Sequence, residues 1–178
     1  MLKAGKLLVA TPTILDPNFA RTVVLLCNHG DEGAVGLVLN RPSDVAAADH
    51  LPEWSHLLSQ PFVGFGGPVD TEAAIGLGKG SVDSDLWTPI CCDIGLIDLS
   101  LSPTQIPGIE AVRVFAGYSG WGPGQLESEI TEAAWFVLEP EDRDLFTSDA
   151  PGLWSRVLRR QRGDIALFAN FPVDPSVN

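Results

Sequence analysis

Cysteine is scarce in this sequence. There are three in 178 residues, an odd number, and two of them are adjacent as Cys91-Cys92. A disulfide framework needs spaced, pairable cysteines, so none is expected, and the reducing cytoplasm is the compartment indicated. Long apolar runs are missing too. A membrane helix needs about 20 mostly apolar residues, and the N-terminus offers only Leu7-Leu8-Val9-Ala10 before Thr11-Pro12. That is also too short for the apolar centre of a secretory signal. No membrane partner is expected. Positive charge is the third shortage: 11 Lys and Arg stand against 23 Asp and Glu, a net charge of −12. Nucleic-acid binders carry basic surfaces, and no helix-turn-helix pattern occurs, so no direct nucleic-acid contact is expected.

What is present points to a folded, turn-rich chain. Apolar residues make up 45% and charged residues 19%, a globular composition. Eighteen glycines and 14 prolines favour many turns and short strands over long helices. The length fits one domain over residues 1–178. Acidity gathers in the middle: residues 43–100 hold nine carboxylates and one lysine, which reads as a solvated face.

Hydrophobic runs place the elements. Lys6–Ala10 reads as a short apolar strand ended by Thr11-Pro12, Val23–Cys27 is apolar throughout, as in a strand buried on both faces, and Ala34–Leu39 is a third apolar run. The Gly-containing segment 28–33 makes the latter two a hairpin. Asp44–Ala48 and Trp54–Leu58 are expected as helical turns broken by Pro52. Strands are expected at Phe62–Phe65, Ala73–Leu77, Ile94–Leu99, Val112–Ala116, Ala134–Leu138 and Ile165–Phe168. Residues 78–93 read as loop, although Leu86-Trp87 could pair locally. Ser102-Pro103 opens a short helix, with Ser at the cap and Pro in the first turn. A helix starts near Pro123–Gln125, with Glu127 and Glu129 at the positive end of its dipole. The last helix follows Pro151, with Leu153, Trp154, Val157 and Leu158 inward and Arg156, Arg159 and Arg160 outward. Strands alternate with a few short helices, so the fold class is α+β with a compact mixed sheet.

Five ordered blocks then carry a family resemblance. They are Asp16-Pro17-Asn18-Phe19; Cys27, His29 and Gly33 along the hairpin; Asn40-Arg41-Pro42; Gly66-Gly67-Pro68-Val69; and Gly117-Tyr118-Ser119-Gly120-Trp121-Gly122-Pro123-Gly124-Gln125-Leu126-Glu127. In this order they resemble the AlgH/YqgE family of bacterial proteins, over about residues 5–170. The resemblance implies a forked, partly barrel-like sheet wrapped by helices. It implies no reaction and no catalytic residue. The family's name comes from a proposed role in transcriptional control of alginate production. With no DNA-binding pattern here, such a role would be indirect.

Several motifs invite chemistry. Gly117-Tyr118-Ser119-Gly120-Trp121 approaches the G-x-S-x-G nucleophile elbow, but Trp121 stands where its last glycine belongs. The plainer reading of Ser119 is a turn residue. The same glycines lead into a helix, where free N–H groups favour anions. Yet Gly120 and Gly122 are followed by Gln125, not the glycine of a dinucleotide loop, and no P-loop spacing exists. Cys27-x-His29 and Cys91-Cys92 match no zinc spacing, so no metal site is expected. Cys27, ending an apolar strand, is expected as a buried hydrophobe with a slow thiol. The tryptophans are expected mostly in the core, with Trp121 able to wall a pocket. Arg156, Arg159, Arg160 and Arg162 read as a solvated helix face.

Two functional readings remain open. One is a non-enzymatic binding or regulatory module, with its site where the loops at 66–69 and 117–124 meet. The other is an enzyme acting on a small anionic molecule, with Arg41 holding the anion. Both draw on the same candidate ligand-binding set: Asn40, Arg41, Gly66, Gly67, Pro68, Tyr118, Ser119, Gly120, Trp121, Gly122, Gln125 and Glu129. No cofactor is expected, and the partner is a small molecule or a protein. Strained glycine geometry is expected in 120–124, so that Gly122→Val would destabilise the chain.

Overall fold

The computed structural model describes residues 2–173. Its strands are β1 (Leu7–Ala10), β2 (Val23–Gly30), β3 (Gly33–Val38), β4 (Pro42–Ala46), β5 (Phe62–Phe65), β6 (Val69–Gly80), β7 (Trp87–Cys91), β8 (Ile94–Ile97), β9 (Ile109–Trp121) and β10 (Trp135–Leu138). The helices are α1 (Ala47–His50), α2 (Gln125–Thr131), α3 (Asp142–Leu145) and α4 (Leu153–Arg159), with 3-10 turns at Pro52–Leu57, Pro103–Gln105 and Gly163–Asn170. The class is α+β. The main sheet runs β10-β1-β2-β3-β9-β6-β8-β7 and does not close into a barrel.

The sheet forks at β9. Along one edge, β9 pairs with β6 from Ile109 to Tyr118. Along the other, its middle pairs in parallel with β5 at Phe115 and Ala116, and its end pairs antiparallel with β3 at Ser119–Trp121. Gly66 sits in the fork. Its N–H donates to the Ala116 carbonyl at 2.9 Å, and its own carbonyl accepts from Val38 N–H at 2.8 Å.

The continuous apolar runs are buried on both faces, as their pattern requires. In β1 and β2, alternate residues go to opposite sides. Leu7, Val9, Val23 and Leu25 pack beneath Leu153, Trp154, Val157 and Leu158 of α4. Leu8, Ala10, Val24 and Leu26 pack with Trp121, Leu126 and Trp135 under α2. A third cluster around Trp54, Ile106 and Val112 fills the β6–β8 end. The β2–β3 hairpin is antiparallel, and its register shifts between Leu26 and Asn28, so Cys27 occupies a bulge.

Five local expectations are corrected. Residues 117–121 are not loop; they finish β9. Residues 78–93 hold the end of β6 and all of β7. Pro89 hid β7, but an edge strand tolerates a proline because one side needs no N–H donor. Asp44–Ala46 is strand, and helix begins only at Ala47. Ile165–Phe168 lies in a 3-10 turn, not a strand. Finally, Arg160 does not simply face solvent: its guanidinium reaches both oxygens of Asp144, at 2.7 Å each, a carboxylate with no exposure. Arg156 likewise bonds Asp149 at 3.2 Å.

Candidate functional site

The sequence-derived candidates do not share one cavity. Asn40 and Arg41 lie in a groove of about 540 Å³. Tyr118 lies in a shallow depression with Gly33 and Val69, whose wall Gly120 and Trp121 share. Gly120, Trp121, Gln125 and Glu129 lie in a cleft of about 290 Å³ beside Phe19 and Trp135. Gly66, Gly67 and Ser119 lie in the interior of the fork. Pro68 and Gly122 are exposed without lining these cavities.

Packing explains the fork residues. A Cβ at Gly67 would stand 2.2 Å from the Tyr118 carbonyl carbon, so only glycine lets the backbones cross. Ser119 is fully buried, and its hydroxyl donates to the Gly66 carbonyl at 3.2 Å. It is no exposed nucleophile. Gly122 meets no backbone crowding: a Cβ there would find only Gln125 Oε1, at 3.9 Å. Its φ is not in the left-handed region, which overturns the expected strain at this position. The constrained glycine is Gly124, which caps α2 with φ of 72°.

The Trp121 cleft is held by one carboxylate. Glu129 Oε2 accepts from the indole N–H of Trp121 at 2.9 Å and of Trp135 at 2.8 Å. Its other oxygen accepts from the Gln125 side-chain amide at 2.9 Å, and Gln125 in turn accepts from Gly122 N–H at 3.0 Å. The ring of Phe19 is edge-on to Trp135 at 5.8 Å. This network uses the polar groups of the cleft for internal bonds. Trp121 and Trp135 are 6% and 4% exposed, so their rings are mostly closed to a ligand.

The larger groove is different. Its walls are Pro12, Ile14, Leu15, Pro151, Trp154 and the Phe171–Val173 segment. Two guanidinium groups stand in it. Arg41 donates to the carbonyls of Pro17 at 3.1 Å and Ala20 at 2.6 Å. Arg21, held at φ of 58°, lies 4.1 Å from the centroid of a Trp154 ring and donates to the Phe171 carbonyl at 2.8 Å. Among the described residues neither arginine has a carboxylate within ion-pair distance. Partial burial lowers the Arg21 pKa from its ordinary value, but a guanidinium stays charged near neutrality. Asn40 fixes this corner: it accepts from Val23 N–H at 2.9 Å and donates to the Arg21 carbonyl at 2.9 Å.

Sequence reasoning found Asn40 and Arg41 but missed Arg21 and Trp154. Arg21, at the end of the Asp16–Arg21 turn, takes a positive φ that its residue type does not announce. The stack on Trp154 joins segments far apart in sequence, and no local pattern reports it. Cys27 is buried, as expected, and burial pushes its thiol up to about 12. Among the described residues no three His, Cys, Asp or Glu side chains gather as metal ligands.

A family model described as AlgH-like matches residues 7–166. The chain belongs to the AlgH-like family. It is 49% identical to a UPF0301 protein of Streptomyces coelicolor, over 98% of this chain and 94% of that one. A UPF0301 protein of Mycobacteroides abscessus is 40% identical, over 99% and 88%. Among solved structures, a Corynebacterium diphtheriae protein matches with a TM-score of 0.89 at 30% identity, covering 96% of this chain and 93% of that chain. The solution structure of the AlgH protein of Pseudomonas aeruginosa matches at 0.69 and 27%, covering 96% and 94%. The AlgH-like fold thus extends over nearly all of this chain. No helix among the described residues is long and apolar enough to cross a membrane.

Proposed function

We propose that this AlgH-like protein is a non-enzymatic cytosolic binding module, and that its groove takes a small anionic molecule with a flat apolar body. One observation carries the reading. Two guanidinium groups, Arg21 and Arg41, share an apolar-walled groove without a carboxylate partner among the described residues, in a chain of net charge −12. Charge beyond about 8 Å is screened at physiological salt, so the local pair weighs more than the net charge of the chain in deciding what binds. The lining also favours binding over chemistry. Arginine does not exchange its proton near neutrality, and the Thr11 hydroxyl is engaged with the Ala133 carbonyl at 2.9 Å. Any regulatory role then runs through ligand binding and a protein partner, not through DNA contact.

The probe is anilinonaphthalene sulfonate, a flat apolar anion that fluoresces when bound. Titration into the native protein should give saturable, one-site binding. The uncharged phenylnaphthylamine should bind more weakly, and Arg41→Gln should weaken the anion by roughly tenfold, the value of one lost charge-assisted bond. Equal binding of the neutral and anionic probes would remove the role of the arginines.

A further inference from the structure

The hairpin of β7 and β8 turns on Cys92-Asp93, since Cys91 is its last paired residue, opposite Ile94. Positive φ in so short a turn favours Gly or Asn. Here Cys92 takes it, with φ of 48°. A strained non-glycine residue at an exposed tip invites a functional explanation. The consequence is chemical: the turn sets the thiols of two successive residues, Cys91 and Cys92, side by side in the chain at one hairpin tip.

The two thiols differ in setting. Cys92 is exposed, and Cys91 is half-buried against the α4-side core. Cys91 is also pressed on the N-terminal segment, where a Cβ at Gly5 would come within 2.7 Å of its own Cβ. Burial first, and then the neighbouring Cys92, Asp93 and Asp142, hold its thiol above the ordinary value. Lys79 pairs with both carboxylates, at 3.7 and 3.8 Å. An accessible sulfur thus stands beside a pinned, slower one.

We propose that Cys91 and Cys92 form a reversible dithiol–disulfide pair, oxidised by low-molecular-weight disulfides. The Cys92 thiolate attacks one sulfur of the small disulfide. That S–S bond breaks, one half leaves as a thiolate and is protonated, and Cys92 carries the other half as a mixed disulfide. The Cys91 thiolate then attacks the Cys92 sulfur and expels the second half. Two protein thiols lose two electrons and two protons, and one small disulfide becomes two thiols. Neighbouring Cα atoms are about 3.8 Å apart, closer than the range of about 4.4–6.8 Å usual for a disulfide. The closed ring is therefore strained and readily reduced, as a reversible pair requires.

The test treats the native full-length protein with oxidised glutathione and reads intact mass and peptide maps. The expected product is a monomer lighter by two hydrogens, with the bond between Cys91 and Cys92 and Cys27 unmodified. Excess reduced glutathione should restore it. Cys91→Ser should stop at one glutathione adduct on Cys92, and Cys92→Ser should stay unmodified at Cys91 over the same time. The Gly80 amide, which donates to the Asp93 carbonyl at 2.9 Å, should shift on oxidation of the wild type only. A stable glutathione adduct in the wild type, a disulfide-linked dimer, or no reaction of the folded protein would each overturn the proposal.

Discussion

The guanidinium of Arg21 lies 4.1 Å from the centroid of a Trp154 ring, joining the turn before β2 to helix α4. The same tryptophan donates its indole N–H to the Ala10 carbonyl at 2.8 Å. Trp154 therefore serves two ends: its body fills the core and its face lines the groove. Trp154→Phe keeps most of the volume but leaves the Ala10 carbonyl short of a buried partner. Urea unfolding should show a loss of about 1–3 kcal/mol with an unchanged slope.

Gly67 and Gly122 should respond in opposite ways. Gly67→Ala forces a methyl group into the Tyr118 backbone, where no side-chain movement can relieve it. A loss on the order of 3 kcal/mol is expected. Gly122→Ala meets open space and should stay within about 0.5 kcal/mol of wild type. Equal effects at the two positions, measured by urea unfolding, would contradict the fork geometry.

How far the sequence reached is visible in these same residues. The runs at Leu7–Ala10 and Val23–Leu26 announced buried strands, because burial on both faces leaves a continuous apolar signal. The glycine stretch misled. Gly117 and Gly120 look like loop residues, yet β9 carries both; at Gly117 the backbone carbonyls of Gly67 and Val69 cross where a side chain would stand, whereas Gly120 meets only side chains at ordinary contact distance. Close approach and tight turning both select glycine, and one sequence cannot separate them. The candidate site was half legible for a similar reason. Asn40-Arg41 stood out as a polar block between strands, whereas Arg21 acquires meaning only through Trp154, which tertiary packing brings to it.

Glu129 ties the Trp121 cleft together through three bonds to neutral donors. Glu129→Ala should cost about 3 kcal/mol, since two indole N–H groups lose a charged acceptor. Glu129→Gln should cost less. Its oxygen can still serve both indoles at the Oε2 position, but its amide then opposes the Gln125 amide. Thermal unfolding ranks the variants, and the indole nitrogen resonances of Trp121 and Trp135 should move together in both.

A pH effect is expected on the exposed face of α2. His29 Nε2 lies 2.5 Å from Glu127 Oε1, and this hydrogen bond lowers the Glu127 pKa below the ordinary carboxylate value. A depressed folded value means the unfolded chain binds the proton more readily. The contribution is therefore present above the unfolded pKa and lost as pH falls through the folded one. Carboxyl NMR titration should place Glu127 below an ordinary glutamate, and His29→Ala should move it up toward that value.

The central claim is that ligands enter at Arg21 and Arg41, not at the glycine-rich stretch. Side-chain NMR of the native protein titrated with anilinonaphthalene sulfonate tests it most directly. The expected result is saturable shifts at the Trp154 indole and the Arg21 and Arg41 Nε–H groups, with the Trp121 and Trp135 indoles unmoved. Shifts confined to Trp121, Trp135 and Tyr118, with the two arginines silent, would contradict it.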